Sequence, residues 1–375
     1  MSGPRIGSLF SGYGGLEQGV QAVLGGSAAW VSDIDPGACK ILAHRYPDVP
    51  NLGDITAVDW SAVEPVDVLT GGSPCQDLSH AGKRGGMTEG TRSNLWVAMR
   101  DAIERLRPPL VVWENVRGAY SACADSEMGS CPGCVGDGPH RPLLRAVGRV
   151  LGDLSELGFD AEWVGIRASD VGAPHGRYRI FIAAWDASLR GRHDPRAAGR
   201  RGERSGAARG SDSATVPHPQ GHRWGQGWAE SARIVGGPNP AIGGSSAIAD
   251  PNRPSVETCR GRSGAWDFGR RESLVDSGTD WGIYGAAVHR WERLTRPAPA
   301  PTEIGAKGQQ QLSPAFVEWM QGLPAGWVTD PAIWTGMTYS AARNAQLHAL
   351  GNGVCPPQAA AALRLLLPDV TEAAA

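Results

Sequence analysis

Short apolar runs alternate with longer amphipathic stretches along the first 185 residues of the chain. The apolar runs predict buried β-strands at residues 6–10, 29–31, 66–69, 110–113, 163–166 and 180–185. The stretches between them carry apolar residues at helical spacing and predict helices at 16–24, 36–46, 95–106 and 143–157. This alternation is typical of a doubly wound α/β fold, in which helices cover both faces of a mostly parallel sheet. Folds of this class hold ligands at the carboxyl ends of their strands.

The periodic pattern stops near residue 186 and returns near residue 311. Residues 186–310 are rich in Gly, Pro, Ser and Arg, and they predict a second, smaller and irregular domain. The segment carries 18 Lys and Arg against 13 Asp and Glu, and seven of its arginines lie between residues 190 and 209. This charge suits a polyanionic partner, and it suits a solvated, flexible insert equally well.

Helical signals reappear in the C-terminal segment 311–367. Ser313 can cap a helix that has Pro314 at its first position. A glycine-rich turn is predicted at 350–354, and the helix predicted after it, at 356–367, is apolar on nearly all sides. Such a helix must be buried. We therefore expect this segment to pack back on a first domain of residues 1–185, with 368–375 as a tail.

Composition narrows the class of protein. The chain has 375 residues, 41% of them hydrophobic, and a formal net charge of −2, which excludes wholesale disorder. No apolar run reaches the roughly 18 residues of a membrane span, and the first residues lack the apolar core of a signal peptide. The seven cysteines are an odd number spread over a long chain. They favour a reducing cytoplasm over a disulfide scaffold.

A glycine-rich loop follows the first predicted strand, at residues 10–15. Glycines there let the backbone approach a ligand, and the helix that follows offers free N–H groups. Taken alone, the loop fits a dinucleotide site, a nucleoside site or a tight turn. The second strand runs into Asp33 and Asp35, and a carboxylate in that place suits the two hydroxyls of a ribose. The combination favours a cofactor that contains adenosine.

Cys75 lies in the most informative loop of the chain, Gly-Gly-Ser-Pro-Cys-Gln, directly after the predicted strand at 66–69. A lone cysteine is most often a small core residue, but one presented by such a loop at a strand's end is more often a nucleophile. The next strand runs into Glu114. A buried carboxyl group must be paired or protonated, so Glu114 is either a structural ion-pair partner or an acid beside the nucleophile.

Five short motifs together resemble the C5-cytosine-specific DNA methyltransferase family. In order, they are Phe10-Ser11-Gly12-Tyr13-Gly14, Pro74-Cys75-Gln76, Glu114-Asn115-Val116, Arg177-Tyr178-Arg179 and Gly351-Asn352-Gly353-Val354. The resemblance covers nearly the whole chain except about 187–305, which falls where the family has its target-recognition domain. It implies the Rossmann-like fold of S-adenosylmethionine-dependent methyltransferases and transfer of a methyl group to C5 of a cytosine in double-stranded DNA.

The resemblance also implies roles for individual residues. Contacts to S-adenosylmethionine are expected from Phe10, Gly12, Gly14, Gly15, Leu16, Asp33, Ile34, Asp54, Pro74, Leu95, Asn352 and Val354. Among these, Asp33 is expected to bind the ribose and Asp54 the adenine amino group. The expected catalytic residues are Cys75, Glu114, Arg177 and Arg179, and the expected DNA contacts are Ser73, Gln76, Lys83, Arg84, Asn115 and Val116. The chain departs from the family pattern at Ile34, His175 and Gly353.

The implied chemistry explains why these residue types occur together. Cytosine C5 is a poor nucleophile until a thiolate, here Cys75, adds to C6. An acid at Glu114 can then donate to ring atom N3. Neither atom is reachable in a stacked duplex, so the base must flip out, and Lys and Arg contacts to phosphates must offset that cost. Lys83 and Arg84 suit a closing flap or a plain polar turn.

Other interpretations stay open at this point. An RNA-directed relative of the same chemistry is the nearest, although it would be expected to lack the long insert. A non-catalytic DNA-binding relative or a nicotinamide dehydrogenase leaves Cys75 and Glu114 unexplained. For the methyltransferase we expect a monomer in the cytoplasm of a bacterium or a phage-infected cell, with a restriction endonuclease as an optional partner.

A cysteine pattern lies outside the resemblance. Cys123, Cys131, Cys134 and His140 form a Cys-x7-Cys-x2-Cys-x5-His series whose central spacing suits zinc. Zinc sites usually show two such pairs, and a single pair is common by chance. We therefore assign no metal site.

Overall fold

The computed structural model describes residues 3–74, 95–120, 123–124, 144–189, 279–305 and 308–367. Its central element is a six-stranded sheet with strand order β2-β1-β3-β4-β8-β7. The strands are β1 (Arg5–Leu9), β2 (Ser27–Ser32), β3 (Val68–Gly71), β4 (Leu110–Val116), β7 (Phe159–Arg167) and β8 (Tyr178–Asp186). The first four are parallel, while β8 runs antiparallel to both of its neighbours. The predicted mostly parallel sheet is confirmed.

The helices begin and end close to the predicted positions in the first domain. They are α1 (Gly15–Leu24), α2 (Pro36–Arg45), α3 (Trp96–Leu106), α4 (Ala146–Glu156), α5 (Gly285–Leu294), α6 (Pro314–Met320), α7 (Tyr339–Asn352) and α8 (Pro356–Leu366). Two small ribbons complete the described part, β5 (Cys123–Ala124) with β6 (Leu144–Arg145), and β9 (Thr302–Ile304) with β10 (Gln310–Leu312). None of the helices in these ranges is long and apolar enough to span a membrane.

Hydrophobic layers cover both faces of the sheet. Successive residues of a strand point to opposite faces. Accordingly, Val111 and Trp113 of β4 join one layer and Val112 joins the other. Helices α3 and α4 complete the first layer, and α1 and α8 complete the second. The doubly wound architecture is therefore confirmed.

The last described helix packs directly on the first one. A Cβ atom added at Gly19 of α1 would lie 2.5 Å from the Cβ of Ala359 in α8, so only glycine allows the two helices to come this close. Leu16 and Val20 of α1 share their apolar layer with Leu363 of α8. The prediction of a buried helix that returns to the sheet is confirmed, as is the cap of α6, where Ser313 accepts a hydrogen bond from the Phe316 N–H. The return brings the C-terminal segment to the side of the sheet on which the glycine loop begins.

Several predicted boundaries are wrong for local reasons. Strand β1 ends at Leu9, because Phe10 has a φ of 55° and belongs to the loop. The edge strand β7 is longer than predicted, because its partly exposed residues obscure the alternation of polar and apolar positions. The glycine-rich turn begins only at Gly353, since Gly351 and Asn352 still lie in the last turn of α7. Helix α5 was not predicted at all, since it lies inside the segment read as irregular.

Candidate active site

A cavity of about 630 Å³ opens at the carboxyl ends of the parallel strands. It is lined by most of the residues that the sequence assigned to the site: Phe10, Gly12, Gly15, Leu16, Asp33, Ile34, Asp54, Ser73, Pro74, Leu95, Glu114, Asn115, Val116, Arg179, Asn352 and Val354. Gly14 and Arg177 do not line it. Cys75, Gln76, Lys83 and Arg84 lie outside the described residues, as do the side chains of the cysteine and histidine pattern at 123–140.

The glycine loop and Asp33 form one end of the cavity. The Gly12 N–H donates to Oδ2 of Asp33 at 2.8 Å, and the Asp35 N–H donates to Oδ1 at 2.8 Å. These bonds fix the carboxylate, while burial raises its pKa above the usual range. Gly12 has a φ of +57°, and a Cβ there would meet open space, so the glycine serves the backbone conformation of the loop.

Asp54 lies at the outer edge of the same end. It is exposed and caps the short 3₁₀ turn Ile55–Ala57, accepting hydrogen bonds from both the backbone and the hydroxyl of Thr56. Those bonds lower the pKa of Asp54. The two carboxylates at this end therefore differ: Asp33 is enclosed and oriented, and Asp54 is accessible from solvent.

The C-terminal turn forms a wall of the cavity beside the glycine loop. The Tyr13 hydroxyl donates to the Val354 carbonyl at 2.7 Å, and a Cβ at Gly15 would lie 2.2 Å from that carbonyl oxygen. Asn352 also lies on this wall, with its Nδ2 3.1 Å from Nε2 of His348. The first and last motifs of the chain thus share one boundary of the cavity.

Arg177 holds that wall in place. Its two terminal nitrogens donate to the carbonyl oxygens of Gly351 at 2.8 Å and Gly353 at 2.5 Å. A guanidinium satisfies two acceptors in this way because its donors form a rigid fork. The structure therefore gives Arg177 a positioning contact to the turn, and its predicted catalytic role stays a prediction.

Glu114 and Arg179 form a buried ion pair at the other end of the cavity. In the β4–β8 pairing, Val116 is opposite Arg179 and Glu114 is opposite Phe181, so Glu114 and Arg179 are diagonal neighbours on one face. Arg179 Nε lies 2.7 Å from Glu114 Oε1. Burial raises the pKa of Glu114, and the positive charges of Arg179 and Arg177 oppose that shift. Burial and the two arginines therefore act on the Glu114 carboxyl group in opposite directions.

The loop that leads to Cys75 is anchored on β4. Asn115 Nδ2 donates to the Ser73 carbonyl at 3.1 Å, and Trp113 Nε1 donates to the Ser73 hydroxyl at 3.2 Å. Pro74, which precedes Cys75 in the chain, lines the cavity. Asn115 therefore serves as a structural link between the two motifs, in addition to any contact with substrate.

The sequence profile described as C-5 cytosine-specific DNA methylase matches residues 5–207. The chain belongs to this family. Among curated relatives, the Type II methyltransferase M.NlaIV of Neisseria lactamica is 32% identical over 179 residues, which cover 46% of this chain and 39% of that protein. The Type II methyltransferase M.MspI of a Moraxella species is 30% identical over 177 residues, covering 47% of this chain and 37% of that protein.

A third relative is named for a different reaction, the methylation of adenine at N6. The DNA N-6-adenine-methyltransferase of Escherichia phage P1 is 37% identical over 150 residues, which cover 35% of this chain and 20% of that protein. The matches thus span less than half of each of these three relatives.

Several residues that line the cavity were missed by the sequence prediction. Ser11, Glu17 and His348 all line the cavity. Ser11 was part of a motif without a role. Glu17 resembled an ordinary acidic residue in the first turn of a helix, where it complements the helix dipole. His348 lies one helical turn before the predicted site residue Asn352. This spacing was the only sequence signal that could have pointed to His348.

Proposed function

We propose that the chain is an S-adenosylmethionine-dependent DNA (cytosine-5) methyltransferase. The observation that supports this best is the buried Glu114–Arg179 pair, placed on the same cavity as Pro74, which leads into the predicted nucleophile Cys75. Family membership supports the same reaction. Residues 186–310 would recognise the target sequence, and 1–185 with 311–367 would hold the chemistry.

The cavity suits the cofactor that the family implies. A volume of about 630 Å³ is within the range of small-molecule sites, and enclosed carboxylates stand at its wall. Asp33 would accept the ribose hydroxyls, and Ile34 and Leu95 would offer apolar surface to the purine. Asp54 would accept the adenine amino group, and Asn352 and Val354 would close the other side. The cofactor supplies an electrophilic methyl group on a positively charged sulfur.

Glu114 would hold the Watson–Crick edge of a flipped cytosine. Its Oε1 lies 2.7 Å from Arg179 Nε, and a carboxylate oxygen has two lone pairs, so this one contact leaves room for a second donor. That oxygen therefore has acceptor capacity for the exocyclic amine. A protonated carboxyl group, favoured by burial, would donate to N3 as negative charge builds on the ring. Arg179 keeps the group ionisable by opposing the effect of burial.

Cys75 would bond to C6 of that base and make C5 nucleophilic. A free cysteine thiol has a pKa of about 8.5, so nearby positive charge is needed for a useful thiolate fraction at neutral pH. Arg179 lies on the same cavity as Pro74 and would supply part of that charge. After methyl transfer, loss of the C5 proton and expulsion of Cys75 would restore the ring.

Double-stranded DNA is the proposed substrate. Flipping a base costs a few kcal/mol, which phosphate contacts must offset. The arginines between residues 190 and 209, with Lys83 and Arg84, carry positive charge in the segments expected to touch DNA. The names of two relatives as Type II methyltransferases support a role beside a cognate restriction endonuclease in the cytoplasm.

Two linked experiments test the proposal. Bisulfite sequencing of DNA from cells that express the protein should reveal protected cytosines in one short motif, and a Cys75→Ser strain should show none. A duplex that carries 5-fluorocytosine at that position should then trap the purified enzyme with methyl donor as a covalent species that survives denaturing electrophoresis. The absence of this species from the wild-type protein would overturn the mechanism.

The same experiments distinguish cytosine-5 methylation from methylation of adenine N6, the activity in the name of the phage P1 relative. Methylation of adenine N6 needs no covalent bond to the ring, so Cys75→Ser would leave it intact. Methylated adenine that persists in the Cys75→Ser strain, without protected cytosines in the wild type, would favour that reaction instead.

A further inference from the structure

Glu17 is a fully enclosed carboxyl group on the cavity wall that the proposed reaction does not use. It lies in the first turn of α1, directly after the glycine loop, and only 2% of its surface is exposed. It nevertheless lines the cavity, together with Gly15 and Leu16 beside it. A charged group in such a place is costly unless a partner compensates it.

Only one of the two oxygens of this carboxyl group has side-chain hydrogen-bond partners among the described residues. Oε1 accepts hydrogen bonds from the hydroxyls of Ser8 in β1 and Thr70 in β3, the latter at 3.0 Å. Oε2 is buried and has no hydrogen-bond partner among the described residues. Among the described residues, no Lys, Arg or His forms an ion pair with Glu17. The charged group whose electrostatic field acts on Glu17 is Asp33, which carries charge of the same sign. Burial raises the pKa of Glu17 as a result.

Two hydroxyls fix the carboxyl group in one orientation. Ser8 and Thr70 are themselves fully buried on adjacent strands, and they tie Oε1 to the floor of the sheet. Oε2 is the free atom. In the carboxylate form Oε2 needs a partner that donates a hydrogen bond, and a positive charge on that partner would balance the carboxylate.

The proposed cofactor has two cationic centres, and they differ in this respect. The sulfonium is positively charged but carries no N–H or O–H. The α-ammonium of the amino-acid moiety is positively charged and carries three donors. An orphaned acceptor in an enclosed place therefore selects the ammonium.

We propose that Glu17 binds the α-ammonium group of the methionine moiety through Oε2. The inference rests on the proposed function, because it assumes that this cavity holds S-adenosylmethionine. In this arrangement Glu17 anchors the amino-acid end of the cofactor, while Asp33 orients the ribose.

Calorimetric titration of three ligands against wild type and Glu17→Gln tests this assignment. S-adenosylmethionine and S-adenosylhomocysteine both carry the α-ammonium, and only the first carries the sulfonium. Methylthioadenosine lacks the amino-acid moiety altogether. We expect Glu17→Gln to weaken the first two ligands by a similar factor, about 10- to 100-fold, and to leave methylthioadenosine unchanged.

Each other result overturns the assignment. Weakening of S-adenosylmethionine alone would place Glu17 against the sulfonium. Equal weakening of all three ligands would indicate general damage to the cavity, and no change would give Glu17 no role in binding. Glu104→Gln, the same substitution at an exposed position of α3 that does not line the cavity, is the matched control and should keep both amino-acid ligands within about threefold of wild type.

A ligand-side measurement keeps the test valid if the variant does not fold. S-adenosylhomocysteine that lacks its α-amino group should bind wild type about 10- to 100-fold more weakly than the parent compound. Equal affinities would refute the assignment. Failure of wild type to bind any of these ligands is a distinct result, because it would overturn the proposed function itself.

Discussion

Glu114 and Arg179 pair across two antiparallel strands, with 2.7 Å between Oε1 and Nε, and both side chains are largely enclosed. In such a pair each charge is compensated chiefly by the other, so loss of one partner costs more than the pair contributes. The same relationship tunes the acid, because Arg179 opposes the rise in the pKa of Glu114 that burial causes. Stability and acid strength are therefore coupled at this point of the sheet.

Arg179→Met should destabilise the protein strongly at alkaline pH and less at acidic pH. At pH 8 the uncompensated Glu114 carboxylate should cost about 3–5 kcal/mol of unfolding free energy. Without Arg179, the folded-state pKa of Glu114 rises further above the unfolded value of about 4.3. The group then favours the folded state at low pH, and this contribution is lost as pH rises through the folded pKa.

Urea unfolding at pH 5 and pH 8 measures this difference. The double variant with Glu114→Gln serves as control, because it has no carboxyl group to titrate. A loss of stability that is the same at both pH values would show that Glu114 is not the group left uncompensated.

Gly353→Ala should destabilise the C-terminal turn, whereas Gly351→Ala should not. A Cβ at Gly353 would lie 1.9 Å from Cε1 of Tyr13 and would clash with that ring. The ring has no room to move because Tyr13 is fully buried. We expect a loss of about 1–3 kcal/mol from this overpacking. A Cβ at Gly351 meets open space at the end of α7, and alanine there should be neutral or stabilise by up to about 1 kcal/mol.

Thermal and urea unfolding of the two alanine variants provide the comparison. Adding Tyr13→Leu to Gly353→Ala should recover part of the loss by opening space. Equal stabilities for the two single variants would contradict the packing that the structure shows.

Arg177→Lys should weaken cofactor binding with little effect on the chemical step. Lysine keeps the charge but cannot donate to the Gly351 and Gly353 carbonyls as a fork, so the wall that carries Asn352 and Val354 loosens. We expect the dissociation constant for S-adenosylhomocysteine to rise about tenfold. The turnover number at saturating cofactor should stay within about threefold of wild type. An unchanged affinity with lost turnover would place Arg177 at the base instead.

Glu17→Gln should gain stability relative to wild type as pH rises. Burial raises the folded-state pKa of Glu17 above its unfolded value of about 4.3. In wild type the protonated group favours folding below that value, and this contribution is lost as pH rises through the folded pKa. Glutamine does not titrate, so the difference in unfolding free energy between the two proteins should shift in favour of the variant from pH 5 to pH 8. Parallel stability curves across this range would show that the carboxyl group titrates as an exposed one.

Much of the fold could be predicted from local sequence patterns, and each element that was not predicted has a physical reason. The parallel strands were predicted because buried strands read as continuous apolar runs, as Val111, Val112 and Trp113 show. The antiparallel direction of β8 was not predicted, since a buried apolar run carries no information about direction. Helix α5 was missed because its buried residues, Val288 and Trp291, are too few to set a period.

The candidate site also contains features that the sequence predicted and features that it did not. Motif order was enough to place Asp33, Glu114 and Asn352 on one cavity. It did not separate Arg177, which lies just before β8, from Arg179 within β8, because only their contact partners distinguish them. Glu17 could not be found from sequence, since its burial depends on Ser8 and Thr70 from two other elements.

The meeting of α8 with α1 has a consequence for how the protein is made. One wall of the cavity comes from residues 351–354, which leave the ribosome long after the glycine loop, and the helix that secures this wall comes later still. Premature termination upstream of this point yields a polypeptide that lacks Asn352 and Val354 of the cavity wall. We therefore expect a nonsense mutation there to weaken binding of the proposed cofactor. Supplying residues 311–367 as a separate peptide is a rational way to switch such a truncated chain back on.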